Sequence, residues 1–67
     1  MNGPKTKEEL EREKAYVERE TSLRIEREFL LNALGRNHWE IDMAARDVNM
    51  SSGEFRKMME KHNINGR

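Results

Sequence analysis

Residues 39–64, WEIDMAARDVNMSSGEFRKMMEKHNI, decide the fold. The stretch reads as a short helix over about 41–48, a tight turn, and a second helix over about 52–62. Met43, Ala44 and Val48 fall on one side of the first helix, and Ala44-Ala45 is small enough for close approach of another helix. Asn49 tolerates the left-handed backbone that a turn needs. Met50 is expected to plug the space between the two helices. Ser51 followed by Glu54 is a capping box, in which each side chain satisfies a backbone N–H of the first turn. Phe55, Met59 and His62 recur at i, i+4 and i+7 and give the second helix a buried face. Arg56, Lys57 and Lys61 fall largely outside it. Ile64 is expected to fold back as an apolar latch and Trp39 to anchor the core. Met58 is expected at the surface. Two short helices joined by about four residues are the arrangement that places a helix in a DNA major groove.

The segment before this stretch is also helical in pattern. Residues 6–20, TKEELEREKAYVERE, are strong helix formers, with Thr6 and Glu9 spaced as a first capping box. Leu10 and Val17 are seven apart, as are Tyr16, Leu23 and Leu30, a thin seam suited to pairing with another helix. Thr21-Ser22 either breaks this helix or lies within it. Residues 23–35, LRIEREFLLNALG, are the most apolar part of the chain. Leu23, Leu30 and Leu34, widened by Ile25, Phe29 and Ala33, exceed one buried stripe and suit a helix held between its own domain and a partner subunit. Gly35 supplies the expected stop. The expected organisation is therefore a flexible start (1–5), dimerisation helices as two helices or one rod (6–35), and a helix-turn-helix segment (36–67).

Size supports association. A chain of 67 residues buries only about 60% of its unfolded surface. It has no cysteine, so neither disulfides nor thiolate metal sites staple it. Dimerisation is the remaining common remedy. No apolar run approaches the roughly 20 residues that span a bilayer, and no signal peptide is visible, so the expected location is the cytoplasm. Thirteen basic residues balance thirteen acidic ones. Residues 1–35 hold seven Lys/Arg and eight Asp/Glu, and residues 36–67 hold six and five. Phosphate affinity must therefore come from local clustering rather than net charge.

Residues 28–65 resemble the carboxy-terminal module of the Fis family, which also ends many NtrC-type activators of sigma-54 promoters. The resemblance is carried by Glu28-Phe29-Leu30-Leu31-Asn32-Ala33-Leu34, Trp39, Ala44-Ala45-Arg46, Met50-Ser51, Gly53-x-Phe55-Arg56-Lys57 and Ile64-Asn65. It implies an all-α bundle that dimerises through its N-terminal helices, with Leu10, Val17, Leu23, Phe29 and Leu30 at the interface. It implies a homodimeric, sequence-specific DNA-binding domain of a bacterial transcriptional regulator, of the enhancer-binding sigma-54 activator type. In such activators a larger parent protein carries an ATPase domain, and 67 residues correspond to an excised terminal domain or a stand-alone relative. The chain departs from the family at Ser52, often Arg, and at Glu54, often Thr. Glu40 and Asp42 replace polar groups that touch phosphate, and acidic side chains there are repulsive.

On this reading the DNA contacts are Ser51, Ser52, Gly53, Glu54, Arg56, Lys57 and Lys61, with Arg36 and His38 touching the backbone from the preceding loop. Lys57 and Lys61 neutralise phosphate, and Arg56 clamps phosphate or reads guanine. Glu54 reads cytosine only if its capping role leaves it available. The alternative is a dimerisation or protein-interaction module on the same fold, with weak or lost DNA binding. An enzyme is not expected. His38 and His62 lie far apart, the Ser51-Ser52 pair serves better as a helix cap than as a nucleophile, and no glycine-rich phosphate loop exists. No cofactor or metal is implied.

Overall fold

A computed structural model describes residues 3–65, which form four helices: α1 (Lys7–Lys14), α2 (Arg19–Arg36), α3 (Ile41–Asp47) and α4 (Ser52–Lys61). No strand occurs among the described residues, so the all-helical expectation holds. Met1, Asn2, Gly66 and Arg67 lie outside the described residues. The rest of the expected flexible start is placed: Pro4 is buried, and the Lys5 N–H donates to the Glu9 carboxylate at 2.8 Å.

Thr6 caps α1, its hydroxyl accepting from the Glu9 N–H at 3.3 Å. Glu9 turns to Lys5 rather than back to Thr6, so the first expected capping box is only half made. The α1–α2 stretch is two helices, not one rod. A rod over 6–35 would be about 45 Å long, whereas the longest extent of the molecule is 31 Å. The chain leaves the helix at Ala15 and re-enters at Arg19, so Thr21 and Ser22 lie inside α2. Neither Gly nor Pro marks the break. Its cause is tertiary: folding α1 back onto α2 buries Leu10 completely and brings Lys14 to Glu26.

Phe29, Leu30, Ala33 and Leu34 of α2 form the middle of the core. Ala44, Ala45 and Val48, then Met50, Phe55, Met59 and Ile64, close over them from α3, α4 and the flanking turns. The wide apolar surface of α2 is thus covered by the chain's own helices. This corrects the expected dimer interface: Leu10, Phe29 and Leu30 are buried inside the single chain, while Val17 (37% exposed) and half-buried Leu23 remain near the surface. Burying a large apolar side chain contributes about 1.5–3 kcal/mol, so these three residues are committed to the fold.

Three helices end by the same device. After α2, α3 and α4 a residue enters the left-handed region: His38 (φ 56°), Asn49 (φ 64°) and Asn63 (φ 57°). The next N–H then reaches back across the last turn. Trp39 N donates to Leu34 O at 2.8 Å, Met50 N to Ala45 O at 2.9 Å, and Ile64 N to Met59 O at 2.9 Å. This is the Schellman arrangement, which satisfies carbonyls left open at a helix end. The expected stop at Gly35 is corrected by it. Gly35 lies within α2, no described glycine has positive φ, and the Asn37 amide further closes the end by donating to Ala33 O at 2.8 Å.

Met50 and Ile64 occupy the core as their sequence positions require. Three side chains do not follow expectation. Trp39 is 36% exposed rather than a core anchor, because its own φ of 62° turns it outward at the α2–α3 corner. Met43 is 47% exposed rather than inward, since Ala44, Ala45 and Val48 already fill the buried side of α3. Met58 is half-buried against the core rather than a surface residue.

Candidate nucleic-acid interface

The four-residue connection Val48–Ser51 sets the start of α4 beside the start of α3. Ser51 makes the complete capping box with Glu54: its hydroxyl accepts from Glu54 N at 3.1 Å, and Ser51 N donates to Glu54 Oε1 at 3.2 Å. Ser52 Oγ donates to Asp42 Oδ1 at 2.6 Å, tying the two helix starts together. Gly53 is exposed, and a Cβ there would meet nothing within 4 Å.

Glu54 has both oxygens engaged, because Lys7 Nζ of α1 donates to Oε2 at 2.8 Å. The Lys7 hydrogen bond, together with the Ser51 N–H, holds the Glu54 carboxyl below its ordinary range. The same bond raises the Lys7 ammonium. Both groups are well exposed, so the pair adds little to stability.

The nine expected contact residues divide into two sets. Arg36 donates from Nε (3.1 Å) and Nη2 (3.0 Å) to Asp47 Oδ2. A hydrogen bond from Asn37, then this one from Arg36, hold the Asp47 carboxyl low. Lys61 Nζ lies 2.9 Å from Glu26 Oε1. Ser51, Ser52, Glu54, Arg36 and Lys61 are therefore engaged within the fold. Gly53, Arg56, Lys57 and His38 are exposed, and neither Arg56 nor Lys57 has an ion-pair partner among the described residues. Arg56 edges a shallow cleft lined by Trp39, Glu40, Ile41 and Asp42. The acidic pair expected to repel phosphate thus stands beside the guanidinium.

Sequence reasoning missed the buried carboxylate of Glu26, only 1% exposed. It receives Lys14 at 2.6 Å on Oε2, with Lys61 and His62 Nε2 (2.5 Å) on Oε1. An ionised carboxylate only accepts, so His62 carries its proton on Nε2 in this contact. Arg27 adds a bond from Nη1 to His62 O at 2.8 Å. Burial pushes the Glu26 carboxyl up, but the bonds from Lys14, His62 and Lys61 outweigh it and hold the group at about 2. A signal was present: Glu26 shares a helix face with Phe29, Leu30 and Ala33, at i+3, i+4 and i+7. A carboxylate on an apolar stripe demands cationic partners. The network explains why His62 lies on the buried face of α4.

Among the described residues no cluster of His, Asp and Glu is arranged to hold a metal ion. No described helix is long and apolar enough to cross a membrane. The chain matches no family model, no curated protein and no solved structure.

Proposed function

We propose that this chain is a helix-turn-helix module that binds double-stranded DNA as a homodimer, with α4 of each subunit in the major groove. The observation that carries the reading is the outward side of α4. Arg56 and Lys57 stand there exposed and unpaired among the described residues, on a helix whose opposite face is fixed by Phe55 and Met59. Two adjacent cations on a rigid helix are a phosphate-binding element with little ordering cost. The short α3–α4 connection, Ala44-Ala45, Asn49 and the Ser51–Glu54 box support it, as does the resemblance of residues 28–65 to the Fis module. With Leu10, Phe29 and Leu30 inside the chain, association draws on Val17, Leu23 and the exposed Tyr16. A bacterial regulator, with or without an ATPase-bearing parent, is the setting that the resemblance suggests.

The test is fluorescence anisotropy of a random-sequence duplex pool at about 50 and 200 mM salt, with Arg56→Ala/Lys57→Ala alongside. Binding that weakens steeply with salt and collapses in the double variant is expected. Absence of binding by a folded chain at both salts overturns the reading.

A second reading has its own observations. Trp39, at the α2–α3 corner, and Met43, on α3, are exposed apolar side chains close in sequence to Glu40 and Asp42. That surface favours a protein partner over a polyanion. A chain that sediments as a dimer without binding DNA would favour this reading.

A further inference from the structure

The connection between α1 and α2 is built from residues that suit a helix. Ala15 is still in the right-handed helical region (φ −67°, ψ −17°). Tyr16 N and Val17 N donate back to Glu13 O at 3.3 Å and Lys14 O at 3.4 Å. Glu18 is extended (ψ 165°) and gives α2 no side-chain cap. None of these four residues is Gly or Pro. With the connection helical, the open carbonyls ending α1 would meet the open N–H groups starting α2. The two helices would then be one rod.

A rod cannot cover its own α2, but its α1 segment can cover the α2 of a second copy. That site already takes this segment: Leu10 is fully buried there, and Lys14 Nζ donates to Glu26 at 2.6 Å. The register of the pairing follows from that bond. α1 folds back along α2, so each step back from Lys14 is a step forward from Glu26. Leu10 then stands opposite Leu30, and Val17 opposite Leu23. Positions 10, 14 and 17 share one helix face, as do 23, 26 and 30. Leu10, Lys14, Glu26 and Leu30 make their contacts inside the single chain. Val17 sits in the connection, 37% exposed, and Leu23 is only half-buried. Two rods crossing near Glu20 would bring Val17 of each against the partner's Leu23, on both sides of the symmetry axis.

We propose that two copies of this chain associate by exchanging α1, with residues 15–18 as the hinge. This deepens the homodimer reading above and rests on its association half alone. Exchange is a low-cost route to a dimer, because every exchanged contact is one the single chain already makes. A short hinge invites it. The Val17–Leu23 contacts are what the dimer adds.

The chain has no cysteine, so spin labels attach only where cysteines are introduced. Glu8→Cys/Gly35→Cys places them at exposed positions of α1 and α2. The labelled chain is refolded from urea with excess unlabelled chain, at low and at high protein concentration. Monomer and dimer are separated by size, and the distance between the two labels is read by double electron–electron resonance. In the dimer it is expected at about 40 Å, the length of one continuous helix from residue 8 to residue 35. In the monomer it is expected to be short, because α1 folds back along α2 and the whole chain extends only 31 Å. Arg19→Pro is the blocking variant. Arg19 is the first residue of α2 and Glu18 before it is already extended, which suits proline in the two-helix form. Inside a rod the same proline breaks the helix. It should leave the monomer folded by circular dichroism and weaken dimerisation at least about 100-fold. A dimer that keeps the short distance, a dimer that Arg19→Pro does not weaken, or no dimer at high concentration overturns the inference. A dimer with the long distance that binds no DNA supports it and removes only the DNA half of the earlier reading.

Discussion

The two ends of the cationic run on α4 have opposite fates. Arg56 and Lys57 point away from the core and have no ion-pair partner among the described residues, whereas Lys61 and the adjoining His62 converge on Glu26. All four positions look alike in composition. The difference lies in what stands opposite. On the outer side Lys57 is exposed and Arg56 borders only a shallow cleft, while the C-terminal end packs over a buried carboxylate on α2. Positive charge on a helix therefore identifies a binding surface only after the charges that answer to the fold have been subtracted. Here the subtraction removes Lys61, and Arg36 with it through Asp47.

The largest expected effect is at Glu26. Breaking a buried ion pair by removing one partner costs about 3–5 kcal/mol. Glu26→Ala is thus expected to destabilise the chain by about that much in urea unfolding at neutral pH, a large share of the stability of a domain this small. A loss below about 1 kcal/mol would erase the contrast between the two ends of α4.

Acid should sharpen the same contrast. The folded carboxyl of Glu26 is held at about 2, below its ordinary value of 4.5. Its contribution is therefore fully present above about 4.5 and lost as pH falls towards 2. The chain should lose more stability between those values than Glu26→Gln, compared by thermal melts. Parallel curves would place the acid sensitivity at other carboxylates.

Ser51→Ala should come next, at about 1 kcal/mol, because it removes the cap that starts α4. Its effect belongs in the melting temperature, measured by circular dichroism. Arg56→Ala/Lys57→Ala should be smallest, within about 0.5 kcal/mol of the unaltered chain. A larger loss would show that these cations also answer to the fold.

What was legible in the sequence was local. The helices of residues 41–48 and 52–62 fall within a residue of α3 and α4, because Asn49, Ser51 and Glu54 carry the turn and cap in their own side chains. Ile64 and Met50 were legible for the same reason. The end of α2 was not. The rule that glycine supplies the left-handed residue pointed to Gly35, but His38 takes that conformation. The break at Ala15–Glu18 has no local mark, since its reward is the burial of Leu10 and the Lys14–Glu26 bond. The inward direction of Phe29 and Leu30 was legible as burial but not as to what covers them. An apolar stripe is the same whether its neighbour is the same chain or a second one. For the candidate interface, residue type and helix face identified Arg56 and Lys57, while the partners of Lys61, Arg36, Ser52 and Glu54 depend on packing that no spacing encodes.

The Glu26 network also has a place in time. Helices adjacent in sequence, α1 with α2 and α3 with α4, meet across short connections whose closure entropy is low. The bonds from Lys61 and His62 to Glu26 join the second pair to the first, and the His62 contact spans 36 residues. Because they span both pairs, they need both pairs docked. A contact made after the transition state acts on escape from the native state rather than on arrival. Glu26→Ala is therefore expected to speed unfolding more than it slows refolding, measured by stopped-flow denaturant jumps, which would make this carboxylate a determinant of how long the folded molecule lasts.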